Sequence, residues 1–260
     1  MISFNSEMLI QFVSEFFWPL VWVLALFSTA PLFSEKQVPK KVKIGLAVMV
    51  TLLLMPNLQP AQVPIFSVAA FWVMLQQILI GASLGLTMQI AFAAVRHAGE
   101  IIGLQMGLSF ATFFDPSGGP NMPILARIFN LLTLLLFLAF DGHLWLLSVL
   151  ADTFQILPVQ PLQLSAQGFL LLAQSASMIF INGMMLALPL ITLLLTLNLS
   201  LGILNRMTPQ LSIFVVGFPL TLTTGILVLT LLIPMLAPFT ERMFSELFNR
   251  LAIIISGMVI

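Results

Sequence analysis

Phe110-Ala111-Thr112-Phe113-Phe114-Asp115-Pro116-Ser117-Gly118-Gly119-Pro120-Asn121-Met122-Pro123 is the stretch on which the fold of this chain turns. Three prolines and two adjacent glycines cannot continue a helix, so the backbone must leave helical conformation here. The sequence on both sides is strongly apolar and has the character of membrane helix. Exposed to lipid, the freed N–H and C=O groups would each be costly. The loop therefore lies in water, against protein, or in a water-filled path, and the last case would make it a candidate gate. An ordinary external connection is the simpler alternative. Against it, Met106, Phe110, Phe113, Phe114 and Met122 crowd the loop and its edges. Bulky, pliable side chains can fill a passage and move aside, and apolar constrictions gate by excluding water. Gly118 and Gly119 supply hinge freedom. Asp115 either shapes the turn or pairs with a basic group such as Arg127.

The rest of the composition supports a lipid environment. Hydrophobic residues make up 60% of the chain and charged residues only 7%, with a mean hydropathy of +1.14. Soluble domains carry about 25% charged residues and need polar groups on the outside. The surroundings must be lipid or apolar partner protein. Net charge is zero, which leaves nucleic-acid binding without an electrostatic basis. Cysteine is absent, so disulfides, thiol catalysis and thiolate metal sites are excluded. Residues 1–15 contain Glu7 and Glu15 but no Lys or Arg, unlike the basic start of a secretory signal. The first apolar segment is expected to belong to the mature protein.

Apolar runs fall at about 16–33, 44–58, 65–95, 101–114, 124–151, 169–204, 211–239 and 243–260. A crossing helix needs roughly 20 apolar residues. Segment 44–58 is marginal, and 101–114 is too short to cross alone, so it is expected to be a half-helix or re-entrant piece. Segments 169–204 and 211–239 would span roughly 54 Å and 43 Å, longer than a bilayer core, and demand tilt or projection from it. The short turn Asn205–Gln210 makes them an antiparallel hairpin, which Pro189, Gly202, Gly217 and Pro219 could bend. Such a hairpin, with little polar surface, is better suited to a stave in an assembly than to a free-standing span. Residues 240–257 scatter charges among Met243, Phe244, Leu247 and Phe248, an amphipathic pattern for an interface or partner helix. Asp141-Gly142-His143 is either a kink in one helix or a turn before a second helix capped by Asp141.

Basic residues orient the chain. Lys36, Lys40, Lys41 and Lys43 place one loop in the cytoplasm, with Arg96 and Arg206 on the same side. Loops 56–64 and 152–168 lack Lys and Arg and fall outside. Both termini would then be outside, although Arg242 and Arg250, accompanied by Glu241 and Glu246, weaken that assignment for the tail.

Polar groups within the apolar runs are few. The chain contains no phosphate-cradling glycine loop, no His-Glu-x-x-His and no nucleophile elbow. His97 and His143 are far apart and are expected to be hydrogen-bonded or interfacial. Arg96 and Glu100 share a helical face, either as a structural ion pair or as the lining of a pore or subunit contact. Gly99, Gly103 and Gly107, following Gly81 and Gly85, repeat every four residues and allow close helix approach, within the chain or between subunits. Asn182 and Asn198 fall on roughly one side of the hairpin and, with Asn205, are expected to pack by interhelical hydrogen bonds.

Several separated motifs carry a resemblance. They are Gly103-Leu104-Gln105-Met106-Gly107 through Asp115-Pro116, Asn121-Met122-Pro123 through Arg127, Asp141-Gly142-His143-Leu144-Trp145, Asn205-Arg206-Met207-Thr208-Pro209-Gln210 through Phe214, and Phe218-Pro219-Leu220. Near the start, Phe17-Trp18-Pro19-Leu20, Ser28-Thr29-Ala30-Pro31, Ser34-Glu35 and Pro39-Lys40 fit the same pattern. Together they resemble the FliR/SctT family of type III secretion export gate subunits, the flagellar form more than the virulence form. The resemblance implies an all-α membrane protein of long bent helical hairpins with a re-entrant or plug loop. Residues 1–164 would be the FliP-like part, and 165–260 a FliQ-like hairpin plus an amphipathic C-terminal helix. It implies a non-enzymatic subunit, without cofactor or metal, that joins FliP and FliQ in a channel for unfolded flagellar proteins, opposite FlhA and FlhB. The location implied is the inner membrane, in the flagellar basal body, with the gate projecting to the periplasmic side. Residues 110–122 would be the plug. Arg96, Gly99, Glu100, Gly103, Gly107, Arg127, Asn205, Arg206, Pro209 and Gln210 are the candidates for assembly. A small secondary transporter or channel with a re-entrant gating loop is the competing expectation, although matching halves are not evident. A purely structural scaffold is a third.

Overall fold

The computed structural model describes residues 6–35, 37–58, 63–65, 67–108, 123–161, 163–208 and 213–258. The described residues form helices without strands: α1 (Ser6–Thr29), α2 (Lys40–Leu54) with a 3₁₀ turn at Met55–Asn57, α3 (Val68–Gln105), α4 (Ile124–Ala139), α5 (Gly142–Ile156), α6 (Ala166–Ser175), α7 (Ser177–Met207) and α8 (Ile213–Ser256). Ile10–Thr29, Val68–Gln105, Ala166–Met207 and Val216–Ser256 are long and apolar enough to cross a membrane, and α4 with α5 forms a bent pair of the same character. The protein is an all-α membrane protein.

Three boundaries differ from the sequence expectation. Residues 101–105 are not a separate half-helix but the last turns of the 38-residue α3. Arg96 and Glu100 favour helix intrinsically, so charge did not break it. The C-terminal amphipathic segment is likewise no separate helix, because α8 runs unbroken over 44 residues despite Pro219, Pro234 and Pro238. The long run expected from 169 starts earlier, at Ala166, and α6 and α7 meet at Ala176, whose own backbone stays helical (φ −60°, ψ −23°), so that Ala166–Met207 is one apolar stretch. At Asp141 the structure has a turn, not a kink within one helix. Asp141 adopts a left-handed conformation (φ 54°) and makes no side-chain cap. Its carbonyl accepts from the N–H groups of Leu144 and Trp145.

The chain gathers into two units. The first comprises Met1–Gln89, Asp141–Ser175 and Glu246–Ile260. Here α1 and the first half of α3 run parallel in close contact. A Cβ on Gly81 would strike the Trp22 carbonyl, and one on Gly85 would lie 2.6 Å from the Ala30 nitrogen. Thr29 Oγ1 donates to the Ala82 carbonyl at 3.3 Å. Trp22 meets Phe154 of α5 at 4.2 Å between ring centroids. α2 packs on α1. The end of α8 returns beside α6, where Ser165 N–H donates to the Met258 carbonyl.

Trp18 and Trp22 are both fully buried here, at 1% and 0% exposure, but they differ in one bond. Trp18 Nε1 donates to the Val63 carbonyl at 3.0 Å, whereas Trp22 Nε1 has no partner among the described residues. Removing a paired buried donor orphans its acceptor, at a net cost of about 1 kcal/mol. Trp18→Phe should therefore destabilise by about 1 kcal/mol more than Trp22→Phe, as read from thermal melts of the two variants. Equal losses would show that the Val63 bond contributes nothing.

The second unit comprises Ile90–Phe140 and Ala176–Ser245. The second half of α3 meets α4 antiparallel, and α7 and α8 pack on it. Phe92, Phe137 and Phe244, from α3, α4 and α8, form a three-ring core with centroids 5.3–5.9 Å apart.

Candidate functional site

Residues Phe110 to Met122, the expected plug, lie outside the described residues, as do Pro209 and Gln210. The structure does define how the chain enters and leaves that loop. Gly107 takes φ 78°, the left-handed conformation that glycine adopts without a Cβ clash. Its N–H donates to the Leu104 carbonyl, and the Leu108 N–H donates to the Gly103 carbonyl. This pair of bonds is a Schellman stop, satisfying carbonyls that the helix end would leave orphaned. Gly107 thus terminates α3, and it is not the close-packing glycine its spacing implied. On the other side Pro123 opens α4, and its carbonyl accepts from Arg127 N–H at 3.0 Å.

The two helices that carry the loop are held against each other. A Cβ on Gly99 would fall 2.6 Å from Ala126 Cα and 2.8 Å from Ala126 N, so the α3 and α4 backbones touch there. Gly103 is looser, with Leu125 side-chain atoms at 4.0 Å. The contact at Gly99 is internal to the chain, which decides the alternative left open by its spacing. Met106, fully buried at 1% exposure, sits against Gly225 of α8, where a Cβ would come within 2.5 Å of its Cε. The fourteen residues 109–122 therefore connect a helix end and a helix start that share one end of the same antiparallel pair.

Charge is placed behind this junction. Arg96 Nη1 donates to Asn130 Oδ1 at 3.2 Å, linking α3 to α4 one turn further from the loop than Gly99. Both Arg96 and Glu100 are half-buried, and Arg127 is exposed. Asn130, 8% exposed, escaped the sequence reading. Its signal was a lone amide in the apolar run 124–139, at the depth that an antiparallel register assigns to Arg96. His97 packs edge-on against Phe180 at 5.2 Å and lies beside Gly183 of α7. Among the described residues, no group of acidic and histidine side chains could hold a metal.

The hairpin polar groups behave differently from expectation. Asn182 and Asn205 are half-buried, Asn198 and Arg206 are exposed, and none of the three asparagines makes a side-chain hydrogen bond among the described residues. Among the described residues they do not join helices. The apolar windows of Ala166–Met207 and Val216–Ser256 are only 33% and 28% buried, against 67% for α3. Among the described residues, the two long C-terminal stretches thus leave most of their apolar surface exposed.

Comparison with known proteins accords with these features. A family model for bacterial export proteins, family 1, matches residues 13–247. The flagellar biosynthetic protein FliR of Pectobacterium carotovorum subsp. carotovorum is 60% identical over 258 residues, covering 99% of each chain. The protein of the same name from Escherichia coli (strain K12) is 62% identical over 258 residues, again 99% of each. That from Aquifex aeolicus (strain VF5) is 30% identical over 250 residues, covering 94% of this chain and 93% of the relative. With a match across nearly its whole length and relatives of this similarity, the chain belongs to the bacterial export proteins, family 1.

Proposed function

We propose that this chain is a membrane subunit of the flagellar protein export gate, and that residues 110–122 are its plug. The observation that carries the plug is the junction itself: a Schellman stop at Gly107 and a proline start at Pro123, on two helices in backbone contact at Gly99. That junction fixes both ends of a proline- and glycine-bearing segment and leaves its middle to act. Phe110, Phe113, Phe114 and Met122 seal the path, and Gly118 and Gly119 allow the segment to swing when an unfolded substrate enters.

In this reading FliP and FliQ complete the channel, with FlhA and FlhB on the cytoplasmic side. Residues 1–164 are the FliP-like part and 165–260 the FliQ-like part. The gate sits in the inner membrane, projects towards the periplasm, and does no bond chemistry. The unpartnered hairpin supports an assembly of different chains, since it carries more apolar surface than the chain covers by itself. Arg96 and Gly99 stiffen the plug's base through Asn130 and Ala126, with Glu100 and Gly103 on the same helix end. Arg127, Asn205, Arg206, Pro209 and Gln210 are left to meet partner chains.

The experiment is a conductance measurement on membranes carrying the assembled complex. Deleting 110–122, or replacing its phenylalanines and Met122 by glycine, should turn closed complexes into ones that leak ions and small solutes. Assembled complexes whose conductance stays at the wild-type level would remove the plug role. Copurification separates the gate from a self-sufficient transporter: a gate subunit is recovered with different chains, a transporter alone or as copies of itself.

A further inference from the structure

The helix α2 belongs to the first unit and packs on α1. It has only 15 residues, too few to cross a bilayer core of about 30 Å by itself. Its inner side, Ala47, Val50 and Thr51, is buried, and Thr51 turns its hydroxyl back to the Ala47 carbonyl. Its outer side should be polar if water lay beyond it. Instead Val42, Met49 and Leu53, on one stripe of the helix, are 52%, 54% and 69% exposed, with Leu52 beside them at 52%. From Val42 to Leu53 this stripe rises roughly 17 Å, close to the depth of a single leaflet.

The first turn carries Lys40, Lys41 and Lys43 and no acidic residue. Lys40 and Lys41 are exposed and Lys43 half-buried. None of the three makes an ion pair among the described residues. Three cations at the positive end of a helix dipole oppose one another and the dipole; the positive-inside bias sets their side of the membrane but supplies no group in the chain that offsets this repulsion. An anion outside the chain does.

We propose that α2 is a lipid-docking helix: its Val42–Met49–Leu53 stripe lies against acyl chains of one leaflet, and Lys40, Lys41 and Lys43 hold the phosphates of anionic phospholipids. A polypeptide partner could cover the stripe as well, but it would have to bring its own anionic groups to one end of a purely apolar contact. A leaflet of anionic lipid supplies both features in that order along the helix. Each lysine near an anionic surface is worth about a fivefold change in partition.

The test uses the complex as extracted from membranes, exchanged into equal amounts of phosphatidylglycerol and phosphatidylethanolamine, with bound lipid counted by native mass spectrometry. Wild-type complex should retain phosphatidylglycerol in several-fold excess. K40Q/K41Q/K43Q should bring the two lipids towards parity, and K40R/K41R/K43R should keep the excess. Photo-crosslinkers at Met49 and Leu53 of the otherwise unaltered chain should form lipid adducts in membranes. Parity in the wild type, or adducts to polypeptide at both positions, would overturn the assignment even if the glutamine variant failed to assemble.

Discussion

Gly99→Val should abolish recovery of the folded chain, while Gly103→Ala should leave it near wild type. Both glycines belong to one four-residue repeat on α3, and sequence alone treats them as equivalent. The structure does not. A Cβ at 99 would meet Ala126 Cα at 2.6 Å, Ala126 N at 2.8 Å and the Leu125 carbonyl carbon at 3.0 Å. All three are backbone atoms, so no rotamer change can make room, and α3 must move away from α4. Separating the pair also pulls Arg96 from Asn130, 3.2 Å apart in the native contact, and leaves a half-buried guanidinium without that acceptor. Overpacking costs about 1–3 kcal/mol and more where backbone must shift. Loss of the hydrogen bond to a charged group adds about 1.5–3 kcal/mol. At 103 the nearest atoms are side-chain carbons at 4.0 Å, an ordinary contact, and alanine would also gain about 1 kcal/mol in helix propensity. Gly45→Ala and Gly202→Ala, at positions with nothing within 4 Å of a Cβ, are the controls for propensity alone. Thermal melts and membrane yields of the four variants should rank Gly99→Val far below the others. A Gly99→Val protein as stable as Gly103→Ala would mean that α3 and α4 are not in backbone contact.

The contrast between Gly99 and Gly107 shows what the sequence could and could not convey. Composition and run length gave the membrane class, because lipid imposes a strong and local demand on every residue of a span. The start of α4 at Pro123 was equally plain, since proline acts on its own backbone. Spacing also predicted that Gly99 would allow close approach, and it does. For Gly107 the same spacing misled. A glycine at a helix end and one at a helix crossing leave the same mark, and only the hydrogen bonds to Leu104 and Gly103 tell them apart. The partner of Arg96 depended on register between two helices, a tertiary property. Helix continuity through Glu100, and through Pro234 and Pro238 in α8, was hidden for a related reason. In a membrane, neighbouring groups re-satisfy what proline removes, so breakers lose part of their force.

Phe137→Ala should be the most damaging truncation in the second unit, and its effect should not depend on any partner chain. Phe137 is 0% exposed, Phe92 1% and Phe244 4%. Their rings meet at 5.7, 5.9 and 5.3 Å, joining α3, α4 and α8 at one point. Water exclusion does little for helices already in lipid, where packing itself drives association. The loss is therefore the cavity and the vanished ring contacts. Buried Phe→Ala changes cost about 3–5 kcal/mol, and each edge-to-face pair contributes about 0.5–1.5 kcal/mol beyond area. Because α3 and α4 also hold the two ends of the 109–122 segment, the plug role proposed above adds a second expectation, that loosening their core makes closed complexes leaky before the chain unfolds. Leu231→Ala is the counterpart. Leu231 is 71% exposed on α8, so its truncation should leave the chain's own melting within about 0.5 kcal/mol and weaken only contacts with other chains. Melting and copurification measured on both variants separate the two effects. If Phe137→Ala melted like wild type, the three rings would not be the joint of this unit. If Leu231→Ala lowered the melting of the chain itself, the outer face of α8 would be buried by the chain and not left for a partner.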